Sequence, residues 1–413
     1  MGTLEGFPNP PAMGSDGRSP STAHASFELA APARIVFRAG AVAEVGAAAR
    51  DAGRHALLVT GRSSERAGAV TRHLDGAGVR WTVFAVAGEP TLDTARAGVA
   101  AARAAGCDLV IGFGGGSALD AAKAIAALVA NGGDPLDYLE VIGAGRPLVR
   151  PSLPTIAIPT TAGTGSEVTK NAVLASVAHG VKASLRSPLM LPRLAIVDPD
   201  LLAGAPPPVL AASGLDALSQ LIEPLLSIRA NPVTDGLARE GILRSAAALP
   251  RAYAAARSGE AIDAADREAL ALASVLGGLC LANAGLGAVH GFAAPIGGMF
   301  AAPHGAVCAA LLPAVLQVNA RALTARAPDS PALARCRELA PMLTGSPDAS
   351  LDDGLAWITA LCRSLAIPGL ARYGMTPAHV PELIGKARAA SSMKANPLPL
   401  TEDELAEIAL ASL

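Results

Sequence analysis

Between residues 27 and 199, short apolar runs bounded by turn residues alternate with long alanine-rich stretches, and after the triple proline at 206–208 that alternation stops. The runs Ala56–Thr60, Thr82–Val86, Leu109–Ile111, Thr155–Ile158 and Leu194–Val197 are too short for buried helices and read as strands covered on both faces. Stretches between them, such as TLDTARAGVAAARAAG, have the composition of helices. Such an alternation predicts a doubly wound, mostly parallel sheet with helices on both faces. Beyond the prolines come only helical patterns, among them VLAASGLDALSQLIEPLLS and ADREALALASVLGGLCLANAG. The expectation is therefore an α/β domain over 27–204 and an all-helical domain over 205–413, preceded by a tail over 1–26 rich in Gly, Pro and Ser.

Composition narrows the partners. Hydrophobic residues make up 51% of the 413, charged residues 16%, and the formal net charge is −2, so there is material for sizeable cores and no strong basic excess for nucleic acid or an anionic membrane. Gly, Pro or polar residues interrupt every apolar run of about 20 residues, so no membrane span is expected. The tail lacks the continuous apolar run of a signal peptide. Five cysteines form no CxxC pair, and Cys107 and Cys280 sit in apolar runs as core thiols, which suits a reducing cytoplasm. His55 and His73 are read as surface residues.

The segment DLVIGFGGGSALDAAKAIA takes a strand into Gly112, Gly114, Gly115 and Gly116 before Ser117 opens a helix, with Asp120 placed for a capping-box variant. Glycines let a ligand approach the backbone, and a helix N-terminus offers N–H groups and a positive dipole end to an anion. A dinucleotide pyrophosphate suits that place; a tight, well-capped βα turn is the plainer alternative. The GxxxxGK[ST] spacing of a P-loop is absent. After the Thr155–Ile158 run, PTTAGTGSEVTKN crowds Thr160, Thr161, Thr164, Ser166, Glu167 and Thr169 around two glycines, hydroxyls suited to a ribose and a nicotinamide amide or simply to a polar loop. Both loops would meet outside the carboxyl ends of the strands, where open α/β sheets bind ligands.

In the helical half, GAVHGFAAPIGGMFAAPHGAVCAALLP puts His290 and His304 among small and apolar residues. Asp216 and Gln220, one helical turn apart in SGLDALSQLIEP, share an otherwise apolar face. Asp216, His290 and His304 would give a carboxylate and two imidazoles, a set suited to Fe²⁺ or Zn²⁺, with Gln220 adding a weak neutral oxygen. Hydrogen-bonded core residues are the alternative. Gly291, Phe292, Ala293 and Ala294 are read as lining a small apolar pocket.

The motifs GGGSALDAAKA, PTTAGTGSEVT, LAIVDP, SGLDAL, GLGAVHGFAAPIG and PHGAVCAALLP stand in the order found in iron-containing (group III) alcohol dehydrogenases of the dehydroquinate synthase-like superfamily, which the chain resembles over residues 27 to 411. The resemblance implies an N-terminal dinucleotide-binding domain, a C-terminal helical domain, an active site in the cleft between them, and a homodimer. It assigns Gly114, Gly115, Gly116, Ser117 and Asp120 to the cofactor phosphates, and Thr160, Thr161 and Thr164 to the nicotinamide end. Asp216, His290 and His304 match three of the four metal positions. The fourth is usually His and here is Gln220; a further His common in the family is here Ala294.

NAD-preferring members tend to carry an Asp after the first strand of the cofactor domain. This chain has Gly61, Arg62, Ser63 and Ser64 there, and an arginine with two hydroxyls suits a 2′-phosphate, so NADP is favoured with NAD as the alternative. The expected reaction is reversible hydride transfer between a small alcohol and its aldehyde or ketone, with Fe²⁺, or else Zn²⁺, polarising the substrate oxygen. One rival is a metal-free reductase of the maleylacetate type, for whose dicarboxylate Lys170 and Lys182 are the candidate cations; others are a lyase like dehydroquinate synthase and a catalytically silent cofactor-binding protein.

Overall fold

The structure, a computed structural model, describes residues 26–62 and 64–413. The expected tail up to residue 25, His24 included, lies outside the described residues, as do Ser63 and the side chain of Ser64. Six parallel strands, β1 (Arg34–Phe37), β2 (His55–Thr60), β3 (Arg80–Ala85), β4 (Leu109–Gly114), β5 (Thr155–Pro159) and β8 (Leu194–Val197), form one sheet in the order β1-β8-β5-β4-β2-β3. The five expected strands are all present. Successive residues face opposite sides: Ala56, Leu58, Leu109 and Ile111 enter one core, Leu57, Val59 and Val110 the other. That two-sided burial explains why β2, β4, β5 and β8 read as unbroken apolar runs, whereas β3, at the sheet edge, has no fully buried residue.

Two features go beyond the expectation. β1 is a four-residue edge strand whose first residue is exposed, too short to stand out. β6 (Asn171–Ser176) and β7 (Val181–Arg186) form a separate antiparallel hairpin, with His179 in its turn. Its inward Ala172, Leu174 and Ser176 alternate with Asn171, Val173 and Ala175, a contrast too weak to show as a period of two. His55 also corrects its reading: it lies on β2, is buried, and shares a 3.0 Å hydrogen bond with Thr82 Oγ1.

Strand order reverses beside β2, since β3 flanks it on one side and β4 on the other. The ends of β2, β4 and β5 are therefore neighbours, with Thr60 beside Phe113 and Gly114 beside Pro159. After β8 the chain is helical, and one continuous core joins the helices Pro207–Leu226, Pro232–Ser258, Ala264–Ala284, Ala288–Met299 and His304–Arg326. Pro207–Leu226 and His304–Arg326 are long and apolar enough to cross a membrane by length and composition, but 83% and 78% of their apolar windows are buried within this fold. Apolar runs dismissed as broken by Gly and Pro thus do form long helices. Their apolar character belongs to a helix covered on all sides.

The two halves lock through close backbone approaches at the Thr/Gly loop. Gly165 has φ +58°, and a Cβ there would stand 2.4 Å from the Gly278 Cα of the Ala264–Ala284 helix. Gly204 has φ +78° with open space around it. Gly165→Ala is expected to cost about 3 kcal/mol or more and Gly204→Ala only about 1 kcal/mol, the second reflecting backbone strain alone. Urea midpoints of the two variants check this; equal losses would contradict it.

Candidate active site

The loop after β4 is built of glycines in close packing. Gly114 adopts φ +156°, and a Cβ there would reach 2.8 Å from Ala118 and 3.4 Å from the Gly61 nitrogen, so the ends of β4 and β2 abut. The next helix, Gly116–Asn131, has Gly115 as its N-cap with no side-chain cap. This corrects the Ser117–Asp120 capping box: the helix starts one residue before Ser117, whose side chain is then inside the first turn. Its first N–H groups are free of side-chain partners, the condition an anion at a helix N-terminus requires. Arg62 is exposed just past β2, and Gly61 and Ser117 are half-buried beside the same loop.

Asp120 has a different part from the one expected. Its Oδ1 accepts a 2.5 Å hydrogen bond from Ser166 Oγ, its Oδ2 accepts one of 2.9 Å from the Val173 N–H, and Lys123 Nζ lies 3.2 Å away. A carboxylate so engaged fixes the Thr/Gly loop. Buried Lys123 holds the same loop by donating to the Ser166 carbonyl and the Thr169 hydroxyl, both at 2.9 Å. The Thr160 N–H donates to the Gly114 carbonyl at 2.9 Å. Thr161 and Thr164 stand over the glycines: a Cβ on Gly115 would come 3.2 Å from Thr161 Oγ1, and one on Gly116 would clash with Thr164 at 2.6 Å. Side chains at Gly115 and Gly116 would therefore collide with the threonines, and the uncapped helix start beside them suits a dinucleotide's phosphates.

The loop's far side touches the helical half. A Cβ on Gly163 would stand 2.7 Å from that of Ser213. Ser213 lies just under one turn before Asp216 on the Pro207–Leu226 helix.

That helix carries Asp216, Gln220 and Glu223 as a polar stripe on an otherwise apolar body, all at most 5% exposed. Glu223 Oε2 accepts a 2.6 Å hydrogen bond from His290 Nδ1, and its Oε1 accepts one of 2.7 Å from the Val289 N–H. With Nδ1 donating, His290 Nε2 is left facing Asp216 Oδ1 at 3.3 Å, and His304 Nε2 lies 3.8 Å from the same oxygen. Cys308 Sγ is 3.7 Å from each Nε2. One donor atom from each of these four residues falls within 4.8 Å of the others. Asp216 Oδ1 and Gln220 Oε1 are buried without a hydrogen-bond partner.

Burial pushes the two imidazoles towards neutrality, but the Cys308 sulfur and the carboxylates outweigh it, holding His290 well above its ordinary value and His304 at about 8. Burial pushes Asp216 up, and the two histidines bring it below its ordinary value. Orphaned oxygens, converging nitrogens and an outer carboxylate orienting one of the rings form a cation-binding set. His304, with its side chain 35% exposed, marks the open side.

Residues 32–199 match the family described as iron-containing alcohol dehydrogenase, and residues 210–413 match its C-terminal domain. The chain belongs to the iron-containing alcohol dehydrogenase family. A probable alcohol dehydrogenase, EutG of Salmonella typhimurium, is 35% identical over 83% of this chain and 82% of its own length. A crystal structure of a 1,3-propanediol oxidoreductase superposes with a TM-score of 0.84 at 32% identity, covering 94% of this chain and 100% of that one. A sulfoacetaldehyde reductase from Bifidobacterium kashiwanohense, solved with NAD⁺, gives 0.80 at 27% identity over 94% and 98%. As a member of the family, the protein is an oxidoreductase that interconverts an alcohol and its aldehyde.

The structure thus brings together Asp216, Gln220, His290 and His304, and separately Gly114, Gly115, Gly116, Thr161 and Thr164. Sequence reasoning missed Glu223 and Cys308. Both stand in the motifs quoted, Glu223 two turns after Asp216 and Cys308 one turn after His304, so helical spacing places each on the same face as a candidate ligand. The pocket read from Gly291 to Ala294 is corrected: Phe292 and Ala293 are fully buried in the helical core, and Gly291 packs against Met393. Lys182 is paired with Glu89 and so is not a free cation for a dicarboxylate.

Beside the cofactor loop, Glu167 is buried with Oε1 unpartnered. Burial raises its carboxyl to about 7, against smaller downward pulls from its own backbone and from Lys123. An acid held above its ordinary value near 4.5 binds its proton more tightly when folded, so stability is full below 4.5 and falls as pH rises through 7. The span corresponds to about 3 kcal/mol. Glu167→Gln is expected to lack this loss, so the stability gap between variant and parent, followed by urea unfolding, widens in the variant's favour from pH 4.5 to 8. A constant gap would contradict it.

Proposed function

We propose that the protein catalyses metal-assisted, NADP-preferring interconversion of a small alcohol and its aldehyde or ketone. The observation that carries this is the buried Asp216 oxygen facing two imidazole nitrogens with no hydrogen-bond partner of its own. Asp216, His290 and His304 would hold the ion, and buried Gln220 stands one turn after Asp216 on the same helix. When bound, the ion acts as a Lewis acid on the substrate oxygen and the nicotinamide exchanges the hydride.

The chain's own residues do the positioning. Glu223 fixes the His290 ring so that Nε2 stays directed at the cluster. The uncapped start of the Gly116–Asn131 helix takes the phosphates. Thr161 and Thr164 set the path from there towards the cluster, and the Gly163–Ser213 contact fixes how far apart the two ends lie. Orientation of this kind converts a two-body encounter into a unimolecular step. Support for NADP rests on exposed Arg62 where a carboxylate would repel a 2′-phosphate; the NAD⁺ bound by the sulfoacetaldehyde reductase keeps NAD as the alternative. The five free buried thiols suit a cytoplasmic setting.

The test splits one preparation into a chelator-stripped half and a half reloaded anaerobically with Fe²⁺ or Zn²⁺, and follows NADPH and NADH oxidation with small aldehydes. Activity is expected only after reloading; equal rates in both halves would contradict the metal role and favour the maleylacetate-type reading. Glu223→Ala should weaken metal affinity by about 10- to 100-fold, as loss of an outer partner of a ligating histidine does. Arg62→Asp should lower the NADPH-over-NADH ratio of kcat/KM by roughly tenfold, about 1.4 kcal/mol. An unchanged ratio would remove Arg62 from cofactor choice.

A further inference from the structure

The geometry points to Cys308 as a metal ligand: its thiolate takes the fourth protein place in the donor set, making the site an Asp–His–His–Cys centre that prefers Zn²⁺ and would become five-coordinate when the substrate oxygen binds. This rests on the metal-assisted reading above and deepens it. The sulfur is fully buried and 3.7 Å from the Nε2 atoms of both His290 and His304. Donors at 2.0–2.3 Å from a tetrahedral Zn²⁺ lie roughly 3.3–3.7 Å apart. The spacings here, 3.3 and 3.8 Å from Asp216 and 3.7 Å twice from Cys308, cluster around that range.

Placement of the thiol is fixed by the fold. His304 and Cys308 stand one turn apart at the start of one helix. A Cβ on Gly305, between them, would come 2.7 Å from the Ala212 carbonyl of the Asp216 helix, so the two helices are in backbone contact where the donors meet. Glu223 accepts from His290 Nδ1, so Nε2 is the ring nitrogen that faces the Asp216 oxygen and the Cys308 sulfur. Two imidazole nitrogens, a carboxylate oxygen and a sulfur within 4.8 Å of one another form a donor set suited to a cation. Asp216 Oδ1, 1% exposed as a residue and without a partner, marks the same point independently of the cysteine.

Charge and softness then separate Cys308 from Gln220. A carboxylate and a thiolate together offset a dication, whereas a carboxylate and a neutral amide leave one positive charge in a buried site. Thiolate sulfur also selects Zn²⁺ over metals that favour oxygen donors. Binding displaces the thiol proton to solvent and forms a sulfur–metal bond, with no change of oxidation state. Cys280 and Cys362 are instead engaged with backbone carbonyls, those of Thr234 and Ala309.

The experiment is spectroscopic. Chelator-stripped protein is loaded anaerobically with one equivalent of Co²⁺, and its near-ultraviolet spectrum is recorded for a sulfur-to-cobalt charge-transfer band. The parent protein should show the band. Cys308→Asn should lose it and bind Zn²⁺ more weakly by about tenfold or more, while Gln220→Ala keeps it and stays within about threefold. The parent spectrum decides the question even where a variant fails to fold. Stoichiometric Co²⁺ without the band would overturn the thiolate ligand while leaving the metal-assisted reading intact, as would a loss of Zn²⁺ affinity in Gln220→Ala but not in Cys308→Asn. A parent protein that binds neither Co²⁺ nor Zn²⁺ would overturn both.

Discussion

A carboxylate that is 1% exposed and has an oxygen without a hydrogen bond is costly in a helical core, and Asp216 is such a group. Desolvating an unpaired charge costs several kcal/mol, so it persists where a cation faces it. The architecture of the helical half is arranged around that need. The Pro207–Leu226 helix is buried throughout residues 214–226 and presents Asp216, Gln220 and Glu223 along one stripe. Two other helix starts, at Ala288 and His304, bring a histidine each to the same place. Glu223 pins the first of these by holding both its ring and the N–H before it.

The cofactor loop and the cation cluster are linked by small residues in close packing. Gly116 meets Thr164, Gly163 meets Ser213, and Gly165 meets Gly278. Asp120 and Lys123, on the helix that begins at the phosphate cradle, hold the Thr/Gly loop from the other side. One loop is therefore fastened to both halves of the molecule. A shift at either end would change the distance between a nicotinamide cofactor on the loop and the substrate carbon that exchanges the hydride, a quantity to which rates are steep.

Much of this was legible in the sequence because it depends on burial pattern and residue type. Strands buried on both faces read as unbroken apolar runs, and each expected one is present. Asp216, His290 and His304 stood out because polar residues are scarce around them. What stayed hidden depends on contacts distant in sequence. The β6–β7 hairpin has too little polarity contrast to show a period. Asp120 looked like part of a phosphate site until Ser166 and Val173 were seen to occupy its oxygens. Phe292 looked like pocket lining because its neighbour is His290, but its side chain points into the helical core. Cys308 was overlooked because a thiol among alanines reads as core, and only the approach of two imidazoles gives it chemistry.

The most direct measurement of the central claim is anomalous diffraction from crystals of the metal-loaded protein, collected on both sides of the absorption edge of the bound ion. A single anomalous peak within bonding distance of Asp216 and of Nε2 of His290 and His304 is the predicted result. A catalytically active crystal with no peak there, or with the ion bound elsewhere, would contradict the account.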